Sequence, residues 1–205
     1  MTKKFLDKAY QLTDGAKGTR ALYDAWAASY EAEVGENGYA TPGRCAKALM
    51  KFAKNPATPV LDFGCGTGLS GLALKLEGFS TIDGLDLSPD MLALARAKSL
   101  YRTLTLVDPD APLPVRPGDY RIIAAIGVIG VGAAPLTTFD TLMKLLPKSG
   151  LLVFSFNDHA LADWRYEAKV SEWTDCGAGR LLFRKYGPHL PGANLQSNVY
   201  VIEKA

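Results

Sequence analysis

The sequence is poor in the residues from which metal sites and disulfide frameworks are built. Its 205 residues include three cysteines and two histidines. The cysteines are Cys45, Cys65 and Cys176, an odd and widely spaced set without a Cys-x-x-Cys unit. This pattern predicts neither a metal site nor a disulfide-stabilised fold, and it favours the reducing environment of the cytoplasm.

The sequence also lacks long hydrophobic runs. The longest apolar run, Ile122 to Ala134, is glycine-rich and falls short of the ~20 residues that a membrane-spanning helix needs. The N-terminal residues 1–8 have no apolar core of the kind found in signal peptides. We therefore expect a soluble protein that does not contact a membrane.

An excess of charge of one sign is absent as well. The 23 lysines and arginines nearly balance the 21 aspartates and glutamates, which leaves a formal net charge of +2. The basic residues are scattered, so the sequence has no electrostatic footprint for nucleic acid, and we predict that nucleic acid is not a partner. With 48% hydrophobic residues, the chain is able to bury the core of one compact domain.

What the sequence does contain is a cluster of glycines directly after an apolar segment. Val60 to Phe63 is typical of a buried strand, and Gly64, Gly66 and Gly68 follow it before a helix. Glycine lets the backbone bend tightly and approach a ligand, while the start of the helix directs free N–H groups into the same space. The segment therefore predicts a nucleotide-sized binding loop.

The residues alone leave other interpretations of this loop open. Gly66 to Gly71 satisfies the Gly-x-Gly-x-x-Gly fingerprint of a nicotinamide-dependent oxidoreductase, although Gly64 and Cys65 separate it from the strand. Asp62 at the strand end needs polar partners when buried and would repel a pyrophosphate. A further alternative is a nucleotide-binding partner or regulatory module without catalysis.

The loop resembles the Asp-x-Gly-x-Gly-x-Gly signature of the class I S-adenosylmethionine-dependent methyltransferases. The matching residues are Asp62, Gly64, Gly66 and Gly68, with Cys65 inside the motif. The resemblance extends over nearly the whole chain. It implies an enzyme that uses S-adenosylmethionine as its cofactor, and it implies that these loop residues bind the cofactor.

A second stretch resembles the Asp-x-Ser-x-x-Met of the same family. Asp86 lies about twenty residues after the glycines, at the end of the next predicted strand, where a carboxylate is able to accept both ribose hydroxyls of an adenosine. Leu87 and Met91 offer apolar contacts to an adenine ring. In the family, an acid after the third strand binds the adenine amino group; Asp108 fits this position, and Asp110 stays an alternative.

Three aromatic residues, Tyr23, Trp26 and Tyr30, recur on one face of a predicted N-terminal helix. They resemble the Tyr-Asp-x-Trp-Ala-x-x-Tyr entry helix of small-molecule methyltransferases, including the methyltransferase-like group of the Williams–Beuren region. The resemblance implies that the two tyrosines close over cofactor and substrate, whereas a plain packing stripe explains the pattern equally well. We predict a helical lid segment at residues 1–55 and a methyltransferase domain at residues 56–205.

Strands and helices alternate from residue 56 onward, which predicts a Rossmann-like α/β fold with a doubly wound, mostly parallel sheet of seven strands. A helix is predicted from Leu161 to Trp173. Two strands, Arg180 to Tyr186 and Ser197 to Glu203, flank a long loop at residues 187–194 and predict an antiparallel C-terminal hairpin. The family's sheet also ends in such a pair.

The substrate side of the site is less defined. The glycine-rich segment that begins at Gly127, after the fourth strand, resembles the segment that forms a wall of the methionine pocket in the family. Asn157 and His159 follow the fifth strand and are candidate catalytic residues, because a neutral histidine is able to accept a proton; a structural role for His159 is at least as compatible. Arg44, near the start of a predicted helix, is interpreted either as a solvated charge or as a side chain that reaches a carboxylate. The sequence has no Asn-Pro-Pro-Tyr type motif, which disfavours a nucleic-acid or protein-glutamine acceptor, and we predict a small-molecule acceptor. We also predict a monomer or homodimer.

Overall fold

The computed structural model describes residue 5, residues 8–9 and residues 15–205. Within these ranges, seven strands form one sheet in the order β3-β2-β1-β4-β5-β7-β6. The strands are β1 (Val60–Phe63), β2 (Ile82–Asp86), β3 (Thr103–Leu106), β4 (Ile122–Ala125), β5 (Leu151–Asn157), β6 (Gly179–Leu190) and β7 (Leu195–Lys204). Strands β1 to β5 are parallel, and β7 runs antiparallel to β5 and β6. The predicted Rossmann-like, mostly parallel sheet with a C-terminal hairpin is confirmed.

Helices cover both faces of this sheet. They are α1 (Gly15–Glu36), α2 (Thr41–Met50), α3 (Leu69–Leu76), α4 (Pro89–Ala97), α5 (Thr137–Leu145), α6 (Asp158–Leu161) and α7 (Trp164–Asp175). Leu61 and Ile123 enter a cluster with residues of α5 and α7, whereas their neighbours Val60 and Ile122 enter a cluster with residues of α2 and α3. Consecutive strand residues point to opposite faces, so both faces of the central strands are buried.

The helix predicted from Leu161 to Trp173 is two helices. Asn157 accepts a hydrogen bond from Ala160 N at the start of α6, and Asp163 accepts one from Arg165 N at the start of α7. Each side chain acts as an N-cap and so begins a new helix. A break at residues 162–163 therefore separates the two helices.

The loop predicted between the last two strands is mostly strand. Strand β6 continues to Leu190, and only a 3-10 turn at Pro191–Ala193 and Asn194, with φ of 57°, separates it from β7. Pro188 sits opposite Gln196 near an irregularity of the ladder. Because β6 is an edge strand, a proline there removes no inner hydrogen bond. The loop prediction for residues 187–190 is wrong.

The predicted N-terminal segment is described from residue 15 onward, together with residues 5, 8 and 9; the rest of the sequence predictions for residues 1–14 lie outside the described residues. Helix α1 packs against α4, and Trp26 is buried in a cluster with Val34 and Leu190. No helix in the described part of the chain has the length and apolar character that crossing a membrane requires.

Candidate active site

The glycine loop between β1 and α3 owes its shape to three left-handed backbone positions. The φ angles are +70° at Gly64, +52° at Gly66 and +94° at Gly68. A Cβ on Gly64 would lie 2.6 Å from a methyl of Val128, whereas a Cβ on Gly66 would meet nothing within 4 Å. Gly64 is therefore needed for packing, and Gly66 leaves free space for a ligand.

Asp62 lies beneath the loop, where it is fully buried. Its Oδ2 accepts hydrogen bonds from Ser70 Oγ at 2.6 Å and from Tyr101 OH at 2.7 Å. Burial raises the pKa of this carboxyl group to about 6, although both hydrogen bonds lower it. Asp62 does not line the cavity described below. Its Oδ2 thus has partners from the protein, whereas its Oδ1 is buried without a hydrogen-bond partner among the described residues. Asp62 supports the loop from beneath, and its predicted contact with the cofactor stays a prediction.

Asp86 connects the loop to the end of β2. Its Oδ2 accepts a hydrogen bond from Gly66 N at 2.7 Å, and its Oδ1 accepts one from Ser88 N at 2.9 Å. Burial is the main cause that raises the pKa of Asp86, while these backbone N–H groups lower it. The side chain still lines the cavity. A carboxylate has about four acceptor sites, so acceptor capacity remains for a ligand beside the backbone N–H groups of Gly66, Ser88 and Leu87.

A cavity of about 380 Å³ opens above the carboxyl ends of the parallel strands. From the glycine loop, Gly64, Cys65 and Gly66 line it, whereas Gly68 does not. The other predicted cofactor residues that line it are Asp86, Leu87, Met91, Asp108, Gly127, Tyr23 and Tyr30. Asp110 lies outside the lining, which favours Asp108 of the two acids. The sequence thus placed most of its candidates around one space.

Helix α1 forms one wall of this cavity and is attached to the cofactor side by polar contacts. Ser88 Oγ donates a hydrogen bond to Asp24. Lys98 Nζ lies 2.6 Å from Glu31 Oε1 and 2.7 Å from Thr67 O in the glycine loop. Lys98 therefore joins α1 to the loop.

The aromatic stripe of α1 combines both interpretations. Trp26 is 2% exposed, lies 5.8 Å from Tyr23 and 4.9 Å from Tyr30 between ring centroids, and donates from Nε1 to Glu33. It is a packing residue. Tyr23 and Tyr30, in contrast, line the cavity. One helix face thus supplies a core contact and a cavity wall.

A smaller cavity of about 60 Å³ adjoins the first and shares several lining residues with it, among them Tyr39 and Gly127. Asn157 lines it, although the side chain of Asn157 also caps α6. His159 is exposed and lines neither cavity. The structure therefore does not bring His159 to the site, because the turn into α6 directs it to the surface.

The sequence interpretation missed His189, which lines the smaller cavity and is 6% exposed. Its Nδ1 lies 2.8 Å from Thr41 Oγ1, and its ring meets the edge of Tyr39 with centroids 5.3 Å apart. Burial lowers the pKa of His189 to about 4, so the ring is neutral near pH 7. The glycines and prolines around it had predicted a loop and concealed the strand that buries it.

Comparison with known proteins identifies the family. A family model described as a methyltransferase domain matches residues 38–190, which is well over half of the chain. The chain belongs to this methyltransferase family. With the family, the predicted enzyme class and the S-adenosylmethionine cofactor are confirmed.

Individual relatives are also named as methyltransferases or as methyltransferase-like. The methyltransferase is 32% identical to human methyltransferase-like protein 27 over 129 residues, covering 62% of this chain and 53% of that protein. It is 34% identical to the 18S rRNA (guanine(1575)-N(7))-methyltransferase of Saccharomyces cerevisiae over 139 residues, covering 61% and 50%. The chain therefore spans about half the length of the curated relatives it matches.

The fold has solved counterparts. A complex between the Haloferax volcanii Trm112 methyltransferase activator and a putative methyltransferase contains a chain that superposes with a TM-score of 0.69 at 17% identity. The match covers 91% of this methyltransferase and 97% of that chain. At 17% identity, this similarity shows that the two chains share a fold.

The prediction of a small-molecule substrate with no nucleic-acid partner is wrong. Relatives in yeast and in cattle are named as 18S rRNA guanine-N7 methyltransferases. The prediction rested on a net charge of +2, and net charge reports on non-specific attraction to phosphates. Recognition of one base by a pocket depends on local shape and hydrogen bonding, which total charge does not measure.

The residues that line the larger cavity fit S-adenosylmethionine. The space next to Gly66 is open where a Cβ would project. Asp86 offers unused acceptor positions beside it, and the apolar side chains of Leu87 and Met91 lie in the same wall. A ribose needs hydroxyl acceptors and an adenine needs apolar contact, so these residues match the two halves of an adenosine.

We expect residues 18–34 of α1 to exchange amide hydrogens more slowly when S-adenosylhomocysteine binds, because Tyr23 and Tyr30 then contact a filled cavity. Hydrogen exchange followed by mass spectrometry measures this. Helix α7 serves as the control, since none of its residues lines either cavity. Slow exchange in residues 18–34 that is identical with and without the ligand would instead identify α1 as a fixed packing element.

We expect His189 to make the protein less stable in mild acid. Its pKa of about 4 in the folded chain lies below the ordinary 6.5, so the unfolded chain binds more protons between these values and the free energy of unfolding falls as the pH drops through them. Asp62, with its pKa raised to about 6, acts in the opposite direction below pH 6.

The His189 contribution is therefore read as a difference between variants. Urea unfolding at pH 7 and pH 5 should show a larger loss of stability for the wild type than for His189→Gln. An equal loss for the wild type and His189→Gln would contradict the depressed pKa.

Proposed function

We propose that this methyltransferase methylates N7 of a guanine in RNA. The proposal is carried by the junction of the two cavities, which share Gly127 and Tyr39 in their linings. The larger cavity has the size of a cofactor, and the smaller cavity is a side pocket lined by aromatic rings. Unstacked RNA bases are bound by such rings. The yeast and bovine relatives named for guanine N7 methylation give the proposal its acceptor atom.

In the proposed complex, Asp86 accepts hydrogen bonds from the ribose hydroxyls of the cofactor. Leu87 and Met91 pack on the adenine ring, and Asp108 accepts a hydrogen bond from its amino group. The loop residues Gly64, Cys65 and Gly66 and the β4 end at Gly127 surround the methionine part. Asp62 and Gly68 support the loop from behind. We also propose that residues 1–55 act as a lid on the domain formed by residues 56–205.

The chemistry asks little of the protein beyond positioning. When bound, the cofactor would supply a methyl group already activated on a sulfonium; transfer would break the S–CH₃ bond, form the N7–CH₃ bond and pass the positive charge to the guanine ring. Guanine N7 has a free lone pair and no proton to lose. Neither His159 nor Asn157 is then needed as a base. The protein acts by alignment and by excluding water, which is able to supply a large share of the acceleration.

Methyl transfer to short RNA oligonucleotides tests the proposal. The purified chain is incubated with methyl-labelled S-adenosylmethionine and with two otherwise identical oligonucleotides, one containing guanosine and one containing 7-deazaguanosine, in which carbon replaces N7. We expect label in the first and none in the second. Equal labelling of both would place the methyl group on another atom, and labelling of neither, with the cofactor bound, would remove RNA as the acceptor of this chain.

A further inference from the structure

A chain of buried polar groups holds His189 in place from behind. Arg44 donates from Nη1 to Ser197 Oγ at 2.9 Å. Ser197 Oγ lies 3.0 Å from Thr41 Oγ1, and Thr41 Oγ1 lies 2.8 Å from His189 Nδ1. Ser197 and Thr41 have no exposed surface. The relay thus runs from a permanent cation, through two fully buried hydroxyl groups, to the ring of His189.

Arg44 has a different role from the one that its sequence position suggested. Its guanidinium donates to the carbonyl oxygens of Lys185, Gly187, Pro188 and Ser197. It therefore binds the β6–β7 hairpin and reaches no carboxylate of a described residue. These contacts fix its Nη1 beside Ser197.

The direction of each hydrogen bond in the relay follows from its fixed end. A guanidinium nitrogen only donates, so the hydroxyl hydrogen of Ser197 cannot point at Arg44. Its remaining partner among the described residues is Thr41 Oγ1, which therefore accepts. Thr41 then directs its own hydrogen to Nδ1 of His189. Nδ1 is thereby an acceptor, and the proton of the neutral ring resides on Nε2.

Nε2 of His189 makes no hydrogen bond to a described residue. Among the described residues, the buried side-chain atoms that lack a partner are Asp62 Oδ1 and Thr67 Oγ1, and Nε2 of His189 is not one of them. The ring lines the smaller cavity, next to Tyr39 and Asn157. The smaller cavity thus contains the N–H of Nε2 as a hydrogen-bond donor, because the relay from Arg44 makes Nδ1 the acceptor of the ring.

We propose that His189 selects guanine by donating a hydrogen bond from Nε2 to O6 of the base while N7 faces the methyl group. The proposal rests on the proposed function, since it names the residue that reads the acceptor base. Guanine presents N7 and O6 as adjacent acceptors, whereas adenine presents N7 beside an N6 amino donor. With adenine in the pocket, the N–H of His189 would face another donor, and both groups would lose their hydrogen bonds.

Nuclear magnetic resonance tests the direction of the relay without any activity. The chain has two histidines, so a nitrogen-15 spectrum of the imidazoles contains two sets of signals, and His159→Gln assigns them. We expect the neutral Nε2–H tautomer for His189 at pH 7. In Ser197→Ala, which interrupts the relay, we expect a mixture of tautomers in a folded protein. An Nδ1–H tautomer in the wild type would overturn the proposal.

Base selection is tested with nucleotides as probes. In the presence of S-adenosylhomocysteine, guanosine monophosphate should shift the His189 imidazole signals and bind about tenfold more tightly than adenosine monophosphate, as expected for one gained hydrogen bond. His189→Phe should lose this preference. His189→Gln should retain part of it, because its amide also offers an N–H. His159→Gln is the control with unchanged preference.

The outcomes separate this inference from the proposed function. A guanine preference that survives in His189→Phe, or no preference in the wild type, would overturn the role of His189 even if RNA is methylated at N7. A His189-dependent guanine preference in a chain that methylates no RNA would support the base-reading role and would refute RNA as the acceptor.

Discussion

Replacing Gly66 by valine is expected to abolish binding of S-adenosylmethionine while the sheet stays formed. In the ligand-free chain a Cβ at this position meets no atom within 4 Å, so we expect the loss of binding to come from the space that the cofactor needs. The φ of +52° adds strain of about 1–3 kcal/mol for a non-glycine residue. Calorimetry with S-adenosylhomocysteine and circular dichroism together measure the two effects.

Gly177→Val is the matched control for this variant. Gly177 also has a positive φ, of +76°, and open space around it, but it lies between α7 and β6, away from both cavities. It should show a comparable loss of stability and wild-type affinity. Normal binding by Gly66→Val would mean that the cofactor does not approach the loop backbone at this point.

The second large effect is expected for Asp86→Ala, which should weaken S-adenosylhomocysteine binding well over tenfold. A hydrogen bond to a charged group contributes about 1.5–3 kcal/mol, and about 1.4 kcal/mol corresponds to a factor of ten in affinity. The structure adds a second cause, because the N–H groups of Gly66 and Ser88 lose their acceptor. Loop order and ribose binding are therefore lost together.

A ligand change separates these two causes. The wild type should bind the 2′-deoxy analogue of S-adenosylhomocysteine more weakly than the parent compound, whereas Asp86→Ala should bind both alike. Asp83→Ala is the control: Asp83 lies in the same strand and is 2% exposed, but its partners are Arg102, Thr103 and Tyr120. It should lower stability and leave affinity unchanged. Unchanged affinity in folded Asp86→Ala would remove this residue from the cofactor site.

The sequence by itself determined the loop and the strand ends that we propose to bind the cofactor, because these features are built from local signals. The glycines from Gly64 to Gly68 encode a loop that follows directly from strand β1, and Ser88 and Pro89 mark the start of α4 as N-cap and first helical residue. Asp86 stands at the end of its strand for the same reason. In a parallel sheet such strand ends meet at one edge, so correct strand assignments were sufficient to bring these residues together.

Tertiary structure alone decided the acceptor half. His189 and Thr41 are 148 residues apart, and no local pattern links a helix start to a strand that resembles a glycine- and proline-rich loop. Asp62 took Tyr101 and Ser70 as partners from elements whose packing its motif does not specify. The sequence does not distinguish His159 from His189. The turn after β5 exposes His159, and the pairing of β6 with β7 buries His189. Burial, partner choice and tautomer arise from contacts between distant segments, which exist only once the chain has folded.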